Sequence, residues 1–183
     1  MDALECILTK LDIREFGSRD VSHEIKMDIM QAARSTGTGL NTQHWKFIMI
    51  QDRDNLKKLA LDSTSGKWIE NANFAVIILT DPKYAFHLID AGRVLQNMQL
   101  AAWSYGVGSG LYTGIVKEKL RVDFGIPNEL IPSAILGFGY PVKPLKGKLK
   151  NRVSLEELVY YENYGSSDNR KDIANTSRKR SIN

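Results

Sequence analysis

Residues 36–52, "TGTGLNTQHWKFIMIQD", set a loop of glycines, hydroxyls and amides directly against "WKFIMIQD" (45–52), a short run that is apolar on both faces. A segment that short with no polar face reads as a strand covered on both sides. Two further runs repeat the pattern, "NFAVIILTD" (73–81) and "PSAILGFGYP" (132–141). They predict a sheet buried between helical layers.

The stretches between these runs carry helical periodicity. "VSHEIKMDIMQAARS" (21–35) has Ser22 at the N-cap position, Glu24 in the first turn and an apolar line through Ile25, Ile29 and Ala33. "DRDNLKKLALDS" (52–63) turns Leu56, Leu59 and Ala60 inward. The longest helix is "KYAFHLIDAGRVLQNMQLAAWSYG" (83–106), with a stripe of Leu88, Ala91, Leu95, Met98 and Ala102 and a terminating Gly106. A short helix opens the chain with Leu4, Ile7 and Leu8 on one face. Another, "VKEKLRVDFG" (116–125), ends at Gly125, and "VGSGLYTGI" (107–115) reads as a glycine-broken strand or loop. "SLEELVYYENYG" (154–165) closes the structured part. Helices and strands alternate, which predicts an α/β or α+β domain of three layers. Periodicity alone leans toward parallel crossovers, although connections such as 106–114 are too short to demand them.

The bulk figures bound the function. The chain has 183 residues and 43% apolar content, enough for one domain, placed at 1–165. Residues 166–183, "SSDNRKDIANTSRKRSIN", hold five Lys/Arg against two Asp/Glu. Of the net charge of +4, this tail carries +3, which leaves the body at +1. The tail is expected to be disordered or wrapped on a partner subunit, and a whole-domain nucleic-acid role is disfavoured. Cys6 is the single cysteine, so no internal disulfide forms. The N-terminus is acidic where a secretory signal is basic, and no apolar run exceeds the six residues "FAVIIL". A cytoplasmic protein without membrane spans is expected. His23, His44 and His87 share no metal-ligand spacing with one another or with Cys6, so no metal site is expected. No G-x-S-x-G, Walker A or strand-linked G-x-G-x-x-G motif is present.

Several polar segments acquire meaning from their order. The chain reads K-L-D-I-R-E-F at 10–16, A-A-R at 32–34, N-T-Q-H-W-K-F at 41–47 and D-A-G-R-V-L-Q-N-M-Q-L-A-A at 90–102. It continues with V-G-S at 107–109, G-Y-P at 139–141 and K-N-R-V-S-L-E-E at 150–157. Over residues 4–164 this series resembles the flavin-dependent nitroreductase family, and the long-helix segment is its most specific piece.

The resemblance implies a three-layer α+β nitroreductase-like fold whose central sheet is largely antiparallel. It also implies a homodimer that exchanges C-terminal segments and binds FMN at the subunit interface. It implies an NAD(P)H-dependent flavin oxidoreductase with ping-pong kinetics. NADH or NADPH gives hydride to flavin N5, and an electron-poor acceptor (a nitroaromatic, a quinone or free flavin) takes it. No protein side chain is then a catalytic nucleophile or base. By the same resemblance the FMN phosphate, close to a dianion at neutral pH, meets Lys10, Lys150 and Arg152. Asp12 lies near the phosphate or ribityl oxygens, and Arg14 lies there or at the N1–C2=O edge, where Lys67 adds a cation. Thr38, Gly39 and Asn41 border the ring edge and ribityl chain, and Thr113 and Gly114 approach the O4–N5 side.

Five positions depart from the family pattern: Lys10 stands for arginine, Asp12 for serine, Gly37 for proline, Gly39 for serine and His44 for proline. His44 is read as a hydrogen-bonding loop residue, not a proton donor. Trp45 and Phe47 are read as core. Two alternatives stand beside the reductase. One is a specialised flavin enzyme on the same fold (a dehalogenase, enone reductase or flavin-cleaving enzyme). The other is a non-catalytic binding module acting through the basic tail.

Overall fold

The computed structural model describes residues 1–143 and 150–166. The chain divides into two compact units, Met1–Lys148 and Leu149–Asn183. The predicted tail, apart from Ser166, lies outside the described residues.

The first unit runs α1 (Ala3–Thr9), α2 (His23–Arg34), β1 (Lys46–Ile50), α3 (Arg53–Leu61), β2 (Phe74–Thr80), α4 (His87–Ser104), β3 (Gly108–Tyr112), α5 (Lys117–Phe124) and β4 (Ile131–Gly139). Short 3-10 turns occupy Gly39–Asn41 and Lys67–Asn71. Helix starts follow local chemistry. Ser22 Oγ accepts from the Ile25 amide at 3.3 Å to begin α2, and the Asp52 carboxylate accepts from the Asp54 and Asn55 amides to begin α3. Helix α4 ends in a Schellman turn: Gly106 takes φ +72°, its N–H donates to Trp103 O, and the Val107 N–H donates to Ala102 O.

The four strands form one sheet in the order β1-β2-β4-β3, and every pairing is antiparallel. Phe47 faces Ile78, Ile77 faces Ile135, and Leu111 faces Leu136. The parallel preference drawn from periodicity is therefore corrected. Helix α3 and the turn after it pack on each other instead of spanning the sheet, so the chain re-enters beside β1 in the opposite direction. The three-layer antiparallel architecture implied by the family resemblance is what the chain adopts.

Period-two alternation along β2 builds both cores. Phe74, Val76 and Ile78 point to one side with Ala134, Leu136 and Phe138 of β4, under α2 and α4. Ala75, Ile77 and Leu79 point to the other, under Leu56 and Leu59 of α3 and Leu120 of α5. All seven β2 residues are buried, and Phe74 stacks on Phe138 with ring centroids 4.7 Å apart. Trp45 is buried and Phe47 packs at the core edge, as read from the sequence.

Two apolar expectations are corrected. Leu88 is 60% exposed, because α4 buries Asp90, Ala91, Val94, Met98, Gln99, Ala102 and Trp103 instead. In α1 the buried residue is Cys6, whereas Leu4, Ile7 and Leu8 face outward. In the second unit, α6 (Leu155–Leu158) starts with a Ser154–Glu157 capping box, and the rings of Tyr160 and Tyr164 lie 4.6 Å apart. No helix among the described residues is long and apolar enough to cross a membrane.

Candidate functional site

Residues 12–16 run beside the end of the sheet. Asp12 bridges Ser109 of β3, the Ile13 amide donates to Ser109 O at 2.8 Å, and Phe16 bridges Pro141 after β4. This close approach requires glycine in β3. A Cβ on Gly110 would lie 2.5 Å from Ile13 O and 2.9 Å from the Trp68 ring. Asp12, Ile13, Arg14 and Glu15 face Pro141, Val142 and Lys143 across a groove of about 430 Å³.

A polar network lies at the edge of this groove. Lys10, a buried residue, places Nζ 2.5 Å from Asp12 Oδ1. The buried Gln99 amide donates to Asp12 Oδ1 at 3.3 Å and to Ser109 Oγ at 3.2 Å. The Arg14 guanidinium sits 5.8 Å from the Trp68 ring centre, and Trp68 meets Tyr112 edge-on at 5.9 Å. Trp68 Nε1 is buried and makes no hydrogen bond among the described residues.

Trp68 belongs to the 3-10 turn that begins at Lys67, itself exposed. Residues 62–66, just before that turn, pair with the end of β3. The Thr64 amide donates to Gly114 O at 2.8 Å, Ser63 bridges Ile115, and the Val116 amide donates to Asp62 O. Thr113 is exposed, and a Cβ on Gly114 would lie 2.5 Å from Thr64 Oγ1 and Ser65 Oγ.

Below this pair, Asp62 is fully buried. Its Oδ1 accepts from Lys119, which also bonds Asp123 at 2.8 Å, while Oδ2 has no partner among the described residues. Burial holds the Asp62 carboxyl above its ordinary value despite Lys119, and the lysine pulls Asp123 below it. Burial likewise raises the Tyr112 phenol, so it stays neutral at any physiological pH.

The loop at 36–44 is fastened to α4. The buried Asp90 carboxylate accepts from the Gly39 amide at 3.0 Å, lies 3.3 Å from His44 Nε2, and meets Arg93 Nη1 at 3.4 Å. The Asp81 amide donates to His44 Nδ1, which leaves the ring proton on Nε2, facing Asp90. Asn97 donates to Thr36 Oγ1 at 2.7 Å, and Thr38 Oγ1 accepts from the Gln43 amide. Leu40, Asn41 and Gln43 take φ of 51°, 53° and 47°, so three non-glycine residues sit in the left-handed region. A Cβ on Gly39 would lie 2.6 Å from the Phe86 ring. The Asn41 side chain accepts from Gln43 Nε2 at 3.4 Å.

The structure thus joins Lys10 with Asp12, and Arg14 with the Lys67 turn through Trp68. It joins Gly114 with residues 62–66 and Gly39 with Asp90 of α4, while the Thr38 and Asn41 side chains bond Gln43 within the loop. Lys150 and Arg152 belong to the second unit, where Arg152 Nη1 donates to Asn151 O. Sequence reasoning missed Asp90, Gln99, Ser109, Trp68 and Lys143. A signal existed for the first: Asp90 lies four residues before buried Val94, on the stripe where an apolar residue belongs.

Comparison with known proteins places this arrangement. The model of the nitroreductase family matches residues 7–76 and 60–140. A protein of Archaeoglobus fulgidus named for NADH dehydrogenase and NAD(P)H nitroreductase activity is 33% identical over 149 residues, covering 76% of this chain and 86% of the relative. An FMN reductase (NADPH) of Bacillus subtilis is 26% identical, covering 88% of this chain and 74% of its own. Among solved structures, a nitroreductase family protein of Clostridium difficile superposes with a TM-score of 0.79 at 26% identity, covering 89% of this chain and 99% of its own. Matched across both faces of its antiparallel sheet and through the α4 segment that clamps the 36–44 loop, the chain belongs to the nitroreductase family.

Proposed function

We propose that this protein is an FMN-dependent oxidoreductase taking hydride from NADH or NADPH. Membership of the nitroreductase family and the flavin-reductase relatives support NAD(P)H-dependent flavin chemistry, with FMN and NAD(P)H as its cofactors. The observation that carries the reading to these residues is the convergence around Trp68. An exposed guanidinium, the close approach of residues 13–14 and Trp68 that Gly110 permits, and a buried indole N–H without an acceptor among the described residues meet there. Such a set suits a planar, acceptor-rimmed ligand with an anionic end.

On this reading Arg14 and Lys67 hold the electron-rich N1–C2=O edge, where a cation favours the anionic reduced ring. Thr113 and Gly114 border the N5 side. Thr38, Gly39 and Asn41 border the ring edge and ribityl chain, held in place by Asp90. Asp12, paired with Lys10, lies along the ribityl chain toward the phosphate, for which the family resemblance names Lys150 and Arg152. When bound, FMN would supply the hydride-relay chemistry between NADH or NADPH and an electron-poor acceptor such as a nitroaromatic, quinone or free flavin. The chain's own residues bind, orient and bias the ring, and none is required as nucleophile or base.

The working form on this reading is a cytoplasmic homodimer. The exposed apolar residues Leu155, Leu158 and Tyr164, and those of α1, are surface that a second subunit would cover.

The test is anaerobic. The flavin-loaded protein is mixed with NADH or NADPH, and the visible flavin band is followed before and after an acceptor is added. Bleaching by the nucleotide, colour restored by the acceptor, and parallel double-reciprocal plots are expected. A flavin band untouched by either nucleotide would refute the reading.

A further inference from the structure

We propose that Asp12 makes the groove at residues 12–15 and 141–143 select against a doubly charged phosphate ester, so that the chain binds riboflavin and FMN with similar strength. The proposal rests on the flavin reading above and on the contacts Asp12 makes. Its carboxylate is the outward member of the network, with its side chain 54% exposed, whereas the Lys10 side chain is only 10% exposed. A ligand entering the groove therefore meets the carboxylate before the ammonium. Lys10 cannot compensate, because its charge is already engaged by Asp12 at 2.5 Å. Lys10 and Gln99 both bond Asp12 Oδ1, and the Asp12 backbone bridges Ser109, which keeps the carboxylate at the groove.

Counted with Asp12, the charged residues lining the groove cancel. Glu15 opposes Arg14 and Lys143, so the groove presents two carboxylates against two cations. A phosphate monoester is close to a dianion at neutral pH and is repelled by a fixed carboxylate. A hydroxyl-bearing chain is not, since a carboxylate accepts hydrogen bonds from hydroxyls. Asp12 is thus a specificity-determining residue that favours the polyol over the phosphate.

The test titrates the full-length chain, stripped of flavin, with FMN and with riboflavin, following quenching of flavin fluorescence. For the unaltered protein the two Kd values are expected within about tenfold of each other. Asp12→Asn and Asp12→Ser are expected to tighten FMN about tenfold and change riboflavin by less than about twofold. Added salt should shrink that gain, as screening requires. Circular dichroism and thermal melting establish that each variant is folded.

FMN affinity unchanged or weakened in folded variants, while riboflavin still binds, would overturn the proposal and leave the flavin reading intact. Binding of neither flavin by any of the three proteins would overturn both. Should neither variant fold, the unaltered protein decides alone: FMN bound more than about a hundredfold tighter than riboflavin contradicts the proposal.

Discussion

The loop at 36–44 and the paired segments 62–66 and 113–116 are both bends of small polar residues, yet they are held by opposite means. The loop depends on side chains. One buried carboxylate, Asp90, takes the Gly39 amide, faces His44 Nε2 and meets Arg93, and three residues beside it hold left-handed backbone. The paired segments depend on backbone: Thr64 N to Gly114 O, Val116 N to Asp62 O, and the Ser63–Ile115 bridge. A bend fastened largely through a few side chains, with Asp90 making three of the contacts, can be loosened by one substitution. A bend held by backbone hydrogen bonds tolerates loss of nearly any single side chain.

The largest expected effect follows from that contrast. Asp90→Ala leaves the buried His44 Nε2–H and the half-buried Gly39 N–H without this acceptor, and is expected to cost about 2–4 kcal/mol in denaturant unfolding. Amide exchange in 37–43 should accelerate while 62–66 and 113–116 stay protected. Equal acceleration in both regions would break the comparison.

Next comes Gly39→Ala, whose new Cβ lands on the Phe86 ring. Crowding the Phe86 ring at that distance should cost about 2 kcal/mol by the same unfolding measurement.

Asp62→Asn probes the buried carboxylate beneath the backbone-held pair. Burial raises the Asp62 pKa above its ordinary 3.8, so the native state keeps a proton that the unfolded chain has released. The stability this gives is complete below that ordinary value and fades as pH rises through the native value. The variant is therefore expected to lie within about 1 kcal/mol of the original protein at pH 7, since Lys119 retains Asp123. The balance should shift toward the original protein near pH 4. A shift in the opposite direction would contradict the assignment.

Smallest of all, Thr64→Ala keeps the amide bond to Gly114 and should change stability by less than about 0.5 kcal/mol.

The same division explains what could be read from the sequence. Regular elements declare themselves through periodicity, so α2 with its Ser22 cap, α3 with Leu56 and Leu59, and the buried β2 were all legible. Strand direction was not, because whether α3 spans the sheet or folds back is decided by packing that no periodicity records. The family resemblance supplied it. At the site, the residue types in 36–44 and 10–16 drew notice, but their fasteners did not. Gln99 lies 87 residues from Asp12, and Asp90 lies 51 from Gly39. Contacts over such separations become visible only once the sheet brings α4 beside both segments. The exposed faces of Leu4, Leu8 and Leu88 misled for a related reason: an apolar stripe signals burial without saying against what.

The most direct measurement of the central claim is an FMN titration of the full-length chain, followed by fluorescence and by sedimentation of the same samples. Saturable binding of one FMN per chain is expected, with affinity falling when Arg14 is replaced by alanine. A folded protein that quenches no flavin at any concentration, or binds FMN equally without Arg14, would contradict the account.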